Sequence, residues 1–89
     1  MSNAVRIYTM KGCGYCSEFK ELMTNEGITY KEIDIDEPSN KLEFNKLMEV
    51  SNADSVPIVI VGKKILVPER SFFTIEEGFE TVKRLISES

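Results

Sequence analysis

The 89-residue sequence contains no histidine. That absence removes Ser-His-Asp and Cys-His catalysis, in which imidazole is the base, and with them nearly every common zinc site. Cysteine is scarce. The two residues present, Cys13 and Cys16, cannot build the disulfide framework that holds small secreted domains together. Basic residues are outnumbered, 11 Lys and Arg against 15 Asp and Glu, for a formal net charge of −4. No basic surplus is left to neutralise phosphates, so nucleic acid is not an expected partner. Long apolar runs are missing too: the longest, Val56 to Val61, contains Pro57 and falls far short of the ~20 residues that cross a bilayer. No charged segment followed by an apolar one opens the chain, so no secretory signal is expected and the expected setting is a reducing cytoplasm. Met1-Ser2-Asn3-Ala4 contains Ser-Asn-Ala, a common cloning scar, and carries no weight in the fold.

What is present reads as an ordinary globular chain, 42% hydrophobic and 29% charged. Without a repeat, a low-complexity tract or a Gly/Ser linker, residues 1–89 are expected to form one monomeric domain. A chain of this length buries roughly 60–65% of the surface its unfolded form exposes. Val5 to Thr9 alternates β-branched residues with others and predicts a strand. Cys16, Phe19, Leu22 and Met23 recur at helical spacing until Asn25-Glu26-Gly27 supplies a stop. Tyr30 to Asp36 alternates, Ile33 and Ile35 against Glu32, Asp34 and Asp36, as a half-exposed strand near a sheet edge does.

A turn at Asp36-Glu37-Pro38-Ser39 leads to a second helix with Leu42, Phe44, Leu47 and Met48 as its apolar positions, fading between Val50 and Asn52. Pro57 to Val61 is almost wholly apolar, which predicts a strand buried on both faces. Gly62-Lys63 suits a type II′ hairpin turn, because glycine accepts a positive φ at the first central position. Lys64 to Val67 is the returning strand. Thr74 and Glu77 form a capping box ahead of Ile75, Phe79, Val82, Leu85 and Ile86, the clearest helix in the chain; Gly78 within it costs about 1 kcal/mol against alanine. The order β-α-β-α-β-β-α predicts a right-handed parallel crossover first, an antiparallel hairpin last, and an α/β fold with a four-stranded mixed sheet flanked by three helices.

Cys13-Gly14-Tyr15-Cys16 stands where the first strand ends and the first helix begins. A sulfur at a helix start meets unpaired backbone N–H groups and the positive end of the dipole. Thiols so placed fall from a pKa of ~8.5 to between ~3.5 and ~7.5. Cys16, one turn further in, lies within reach of Cys13. That spacing makes Cys13 the attacking thiolate and Cys16 the more buried resolving thiol of a thiol–disulfide exchange cycle. A Cys-x-x-Cys pair also serves as half a zinc site or as two structural thiols. Zinc would need two more ligands from a chain with no histidine and no third cysteine, and Gly12 and Gly14 mark an approachable rather than a buried backbone.

Tyr8-Thr9-Met10-Lys11-Gly12-Cys13-Gly14-Tyr15-Cys16 resembles the active-site segment of glutaredoxins, dithiol members of the thioredoxin fold. Ser55-Val56-Pro57, ahead of an apolar strand, resembles their Thr-Val-Pro motif. The likeness covers about Val5 to Val61. It implies a thioredoxin-like βαβαββα fold and a thiol–disulfide oxidoreductase that reduces protein disulfides or glutathione mixed disulfides. It further implies that Pro57 is cis and lies against the cysteine pair, that Val56 offers its backbone N–H and C=O to the cysteinyl part of glutathione, and that Ser55, Tyr15 and Lys11 border the same ligand.

The sequence departs from the family pattern in three places. Met10 stands where many members carry a lysine, and Lys11 follows one position late. Asp54 replaces a basic residue and would repel an anion. No Gly-Gly pair receives the γ-glutamyl end; Leu66-Val67-Pro68-Glu69-Arg70-Ser71-Phe72-Phe73 runs into the Thr74 cap instead, where free helix N–H groups, with Arg70, are the remaining carboxylate contacts. These departures bring in a second reading, an electron donor recharged by thioredoxin reductase, of the kind that serves ribonucleotide reductase. Gly14 also permits a third, a [2Fe-2S] cluster shared by two protomers with glutathione as co-ligand. A pure interaction module is the remaining class. Glu32, Asp34, Asp36 and Glu37 are expected to be a solvated strand face. Phe72-Phe73 offers either a partner-binding patch or, with Phe73 just before the Thr74 cap, a hydrophobic staple on the last helix, and the staple is the expectation.

Overall fold

Alternation of side chains through β1 (Val5–Thr9) sends Val5 and Ile7 to one face of a sheet and Tyr8 to the other, and all three are buried. The structure is a computed structural model that describes residues 4–53, 55–68 and 70–88. The expectations for Met1, Ser2, Asn3, Asp54 and Glu69 lie outside those residues. β1 is followed by α1 (Gly14–Asn25), β2 (Lys31–Asp34), a single 3₁₀ turn (Pro38–Asn40), α2 (Lys41–Ser51), β3 (Ile58–Val61), β4 (Lys64–Leu66) and α3 (Ile75–Ser87). The predicted order of elements holds throughout.

The sheet order is β2-β1-β3-β4. β1 and β2 are parallel, with Tyr8 opposite Ile33; β3 runs antiparallel to β1, with Tyr8 opposite Ile58, and β4 returns antiparallel beside β3. β3 is central and all four of its residues are buried. Val59 and Val61 join Val5 and Ile7 against Phe19 and Met23 of α1 and Phe79 and Val82 of α3. Ile58 and Ile60 join Tyr8 and Ile33 against Phe44 and Leu47 of α2. Strict alternation thus divides one strand between two cores, and a one-residue slip would exchange them.

Turn chemistry follows the sequence closely. Gly62 has a φ of 62° with no positive φ at Lys63, as a II′ turn requires. Its N–H donates to the Ala4 carbonyl at 2.9 Å, so Ala4, set aside on sequence grounds, is tied to the sheet. Asn52 closes α2 in the left-handed region, with a φ of 61°. Thr74 and Glu77 close both halves of the capping box.

Four expectations are corrected. β2 ends at Asp34, because Asp36 leaves the strand direction to take a turn bond from its N–H to Asp34 Oδ1. Leu42 is 71% exposed and contributes nothing to the core; Phe44 and Leu47 bury the face of α2. Gly78 is not a tolerated weakness of α3 but a fit: a Cβ there would lie 2.9 Å from Phe19 Cε2 and 2.9 Å from Phe72 Cγ. Phe73 makes no staple. It is 74% exposed, and its staple partner four residues into the helix would be Gly78, which has no side chain to offer. Its neighbour Phe72 is the buried one, edge-on to Phe19 at 6.0 Å between ring centroids.

Candidate active site

The strand-to-helix turn after β1 forms because Gly12 accepts a φ of 79°, which an L side chain resists. The Cys13 N–H then donates to the Met10 carbonyl, and Cys13 becomes the N-cap of α1 in extended geometry. Its sulfur does the work that a Ser or Asp side chain does at other helix starts: Sγ accepts the Cys16 backbone N–H at 3.1 Å. Cys13 is half-buried, Cys16 is 1% exposed, and the two are joined in a disulfide with Cα atoms 5.3 Å apart. The accessible sulfur is therefore the one that the helix terminus favours as an anion.

Antiparallel pairing of Tyr8 with Ile58 brings the chain after β1 and the chain before β3 to the same end of the sheet. The Val56-Pro57 bond there is cis, as the resemblance implies, and Pro57 is fully buried. Among the described residues no hydrogen bond engages the Val56 backbone N–H or C=O. Tyr15, between the two cysteines and 67% exposed, forms one wall of a groove of about 520 Å³ that continues over Ser55, Val56 and Pro57 to Phe72, Phe73 and the first turn of α3. Four of the sequence-predicted contacts, Tyr15, Ser55, Val56 and Pro57, are thus brought together.

Lys11 is not with them. It lines a second cavity of about 320 Å³ on the other side of the cysteine turn, with Cys13, Cys16, Lys20 and Glu32, and its backbone N–H is tied to Asp36 Oδ2 at 2.9 Å. Met10, at the position of the family's lysine, lines that same second cavity, so the one-residue offset is not what keeps Lys11 out of the groove. Arg70 is exposed, lies outside the groove lining, and serves a turn through its N–H to the Val67 carbonyl.

The acidic strand face is built rather than merely solvated. Glu32 Oε2 accepts Lys20 Nζ at 2.9 Å and the buried Thr9 hydroxyl at 2.8 Å. The Lys20 hydrogen bond, followed by that of Thr9, holds the Glu32 carboxyl below the usual glutamate range. Sequence reasoning missed Thr9, Lys20 and Glu32 as neighbours of the cysteines, and also Glu18 and Glu76 in the groove. The register of β1 on β2 would have revealed the first group. For the second, the helical spacing of Glu18 from Tyr15 was the available signal.

At the α3 start, Glu77 Oε1 already accepts the N–H groups of Phe73 and Thr74, each at 3.0 Å, and Glu76 lines the groove. An incoming carboxylate would meet two resident ones there. Among the described residues that line the groove, none is Lys or Arg.

The glutaredoxin family model matches residues 5–66 of this chain. A glutaredoxin of Ricinus communis is 34% identical over 64 residues, which is 71% of this chain and 63% of that protein. The chain thus spans a little over three fifths of the length of that curated relative. The solved holo form of glutaredoxin C1 from Populus tremula x tremuloides is similar, with a TM-score of 0.74 and 26% identity, covering 98% of this chain and 78% of that one. The glutaredoxin-like NrdH-redoxin of Escherichia coli shares the fold, with a TM-score of 0.67 and 23% identity over 92% of this chain and 93% of its own. Both solved structures share the thioredoxin-like architecture of this chain.

Proposed function

Because this chain belongs to the glutaredoxin family, we propose that it is a dithiol thiol–disulfide oxidoreductase acting on protein disulfides or glutathione mixed disulfides. One observation carries the reading: an accessible Cys13 sulfur that caps α1 and is bonded to a buried Cys16, beside a cis Val56-Pro57 turn. In the reduced protein the Cys13 thiolate attacks a substrate disulfide RS–SR′. A Cys13–SR mixed disulfide forms and R′S⁻ leaves, to be protonated by solvent. The Cys16 sulfur, giving up its proton, then attacks Cys13 Sγ and expels RS⁻. Two electrons have passed to the substrate and the Cys13–Cys16 disulfide remains.

Family membership supports glutathione as the reductant and co-substrate, with Val56 holding its cysteinyl backbone and Tyr15, Ser55 and Pro57 bordering it. Two glutathione thiols would return the electrons through a Cys13–glutathione mixed disulfide. A second reading, recharging by thioredoxin reductase, is favoured by the groove itself, whose described lining offers glutathione carboxylates no cation and whose helix start is already occupied by Glu77. Cytoplasmic localisation goes with either reading. The [2Fe-2S] reading would draw the accessible Cys13 from each of two protomers with glutathione as co-ligand, and so depends on the same groove, whose described lining holds no cation. No step is assigned to a cluster.

The test is turnover of a mixed-disulfide substrate coupled separately to glutathione with glutathione reductase and to thioredoxin reductase. Activity in either system that vanishes in Cys13→Ser supports the oxidoreductase reading, and the system that sustains turnover identifies the reductant. Absence of turnover in both overturns it.

A further inference from the structure

The groove beside the cysteines has two characters, apolar walls and acidic flanks. Tyr15 and Phe73 line it as large, exposed rings, together with the buried Pro57 and Phe72. Exposed aromatic rings over a groove are surface that a partner covers. Among the described residues, the charges that line it are Glu18 of α1 and Glu76 of α3. Neither carboxylate is engaged in an ion pair among the described residues. The Val56 backbone, whose N–H and C=O take no hydrogen bond among the described residues, lies along the same groove and can pair with an extended chain.

Resting on the oxidoreductase reading, we infer that this groove selects protein disulfides in extended, apolar segments that carry a basic side chain close to the cysteine, with Glu18 and Glu76 as the specificity-determining residues. Two carboxylates in a concave site focus a negative potential on the groove that begins at Tyr15, between the two cysteines, which raises the encounter rate of cationic segments there and lowers that of anionic ones. Cys13 itself lines the neighbouring cavity with Lys11 and Lys20. The aromatic rings then cover the apolar neighbours of the substrate cysteine. The chemistry is the exchange written above: dithiol protein and RS–SR′ give the Cys13–Cys16 disulfide and two thiols, with no further reductant. Substrate choice is thereby separate from the question of what recharges the protein.

The experiment is single-turnover reduction by the pre-reduced protein of two synthetic peptide disulfides. They are identical except that lysine or glutamate flanks the cysteine. At low salt the bimolecular rate constant for the lysine peptide is expected to exceed that for the glutamate peptide by about tenfold or more, with the gap closing as the Debye length shrinks from ~30 Å to ~8 Å. Glu18→Gln with Glu76→Gln should abolish most of the preference, and Glu18→Lys with Glu76→Lys should invert it. Glu49→Lys, at an exposed site on α2, changes the net charge by the same two units as the paired glutamine variant and should leave the preference intact. Equal rates for the two peptides, or a preference that Glu49→Lys erodes as much as the paired glutamine variant does, would overturn the inference while leaving the oxidoreductase reading standing. Reduction of neither peptide would overturn both.

Discussion

The Cys16 backbone N–H donates to the Cys13 sulfur at 3.1 Å, so the residue that begins the redox cycle also caps the helix that carries its partner. Chemistry and helix stability meet on one atom. Serine is a strong N-cap and alanine is not. Compared in the reduced state, Cys13→Ser should unfold within about 0.5 kcal/mol of the parent, whereas Cys13→Ala should lose about 1 kcal/mol. Both should be devoid of thiol–disulfide turnover. Cys16→Ser should still release glutathione from a mixed disulfide, since that half-reaction needs only Cys13. Urea unfolding under reducing conditions and a deglutathionylation assay read out the two halves; equal activity of Cys13→Ser and Cys16→Ser would refute the assignment of roles.

Adjacent phenylalanines should behave as opposites. Phe72 is 4% exposed and packs on Phe19, so Phe72→Ala should cost about 3–5 kcal/mol, enough to unfold much of a domain of this size. Phe73 faces solvent over the groove, and Phe73→Ala should change stability by less than about 0.5 kcal/mol. Its effect should appear as a raised KM for peptide disulfides. A large stability loss from Phe73→Ala would mean that the ring is packed after all.

Gly78→Ala pits two known effects against each other. Helix propensity favours alanine by about 1 kcal/mol. The added methyl would stand 2.9 Å from both Phe19 Cε2 and Phe72 Cγ, and such overpacking costs about 1–3 kcal/mol. Net destabilisation is expected, measurable as a lower urea midpoint. A stabilised variant would show that the aromatic pair can move apart without cost.

Burial first, and then the hydrogen bond to Glu43 Oε2, push the Tyr8 phenol up to about 12. The folded value lies above the unfolded one near 10, so the associated stability is fully present below pH ~10 and is lost as pH rises towards 12. Of the three tyrosines, one should ionise late, in step with alkaline unfolding, when phenolate absorbance and circular dichroism are followed together. Glu43→Gln should bring that transition earlier but not to its ordinary position, since burial remains. Joint titration of all three tyrosines in the folded protein would contradict the buried assignment.

Local rules carried far in this sequence where a single element decided the outcome. Thr74 with Glu77, Gly62 with Lys63, and the apolar run of β3 each specify their structure within a few residues, and each folds as read. Where two elements had to be placed against each other, sequence was silent. Which of Phe72 and Phe73 turns inward depends on Phe19, more than 50 residues away. That Gly78 is a contact and not a flaw depends on the same pair of rings. The cysteine turn was legible because the helix terminus that tunes Cys13 lies beside it in the chain. The cis bond at Pro57 was accessible only through the family resemblance. The side on which Lys11 falls, and the acids facing Tyr15, required the tertiary fold.

Phe19, on the inner face of the cysteine helix, finds its two aromatic neighbours in Phe72 and Phe79, near the other end of the chain. In the order of synthesis, α1 emerges early with its apolar face bare and stays so until residues past 79 have followed. A nascent chain therefore holds both thiols in an open segment until α3 has been made. Once the last helix docks, the helix that carries the reactive sulfur should exchange its amide hydrogens only when α3 lets go, the two opening as one cooperative unit.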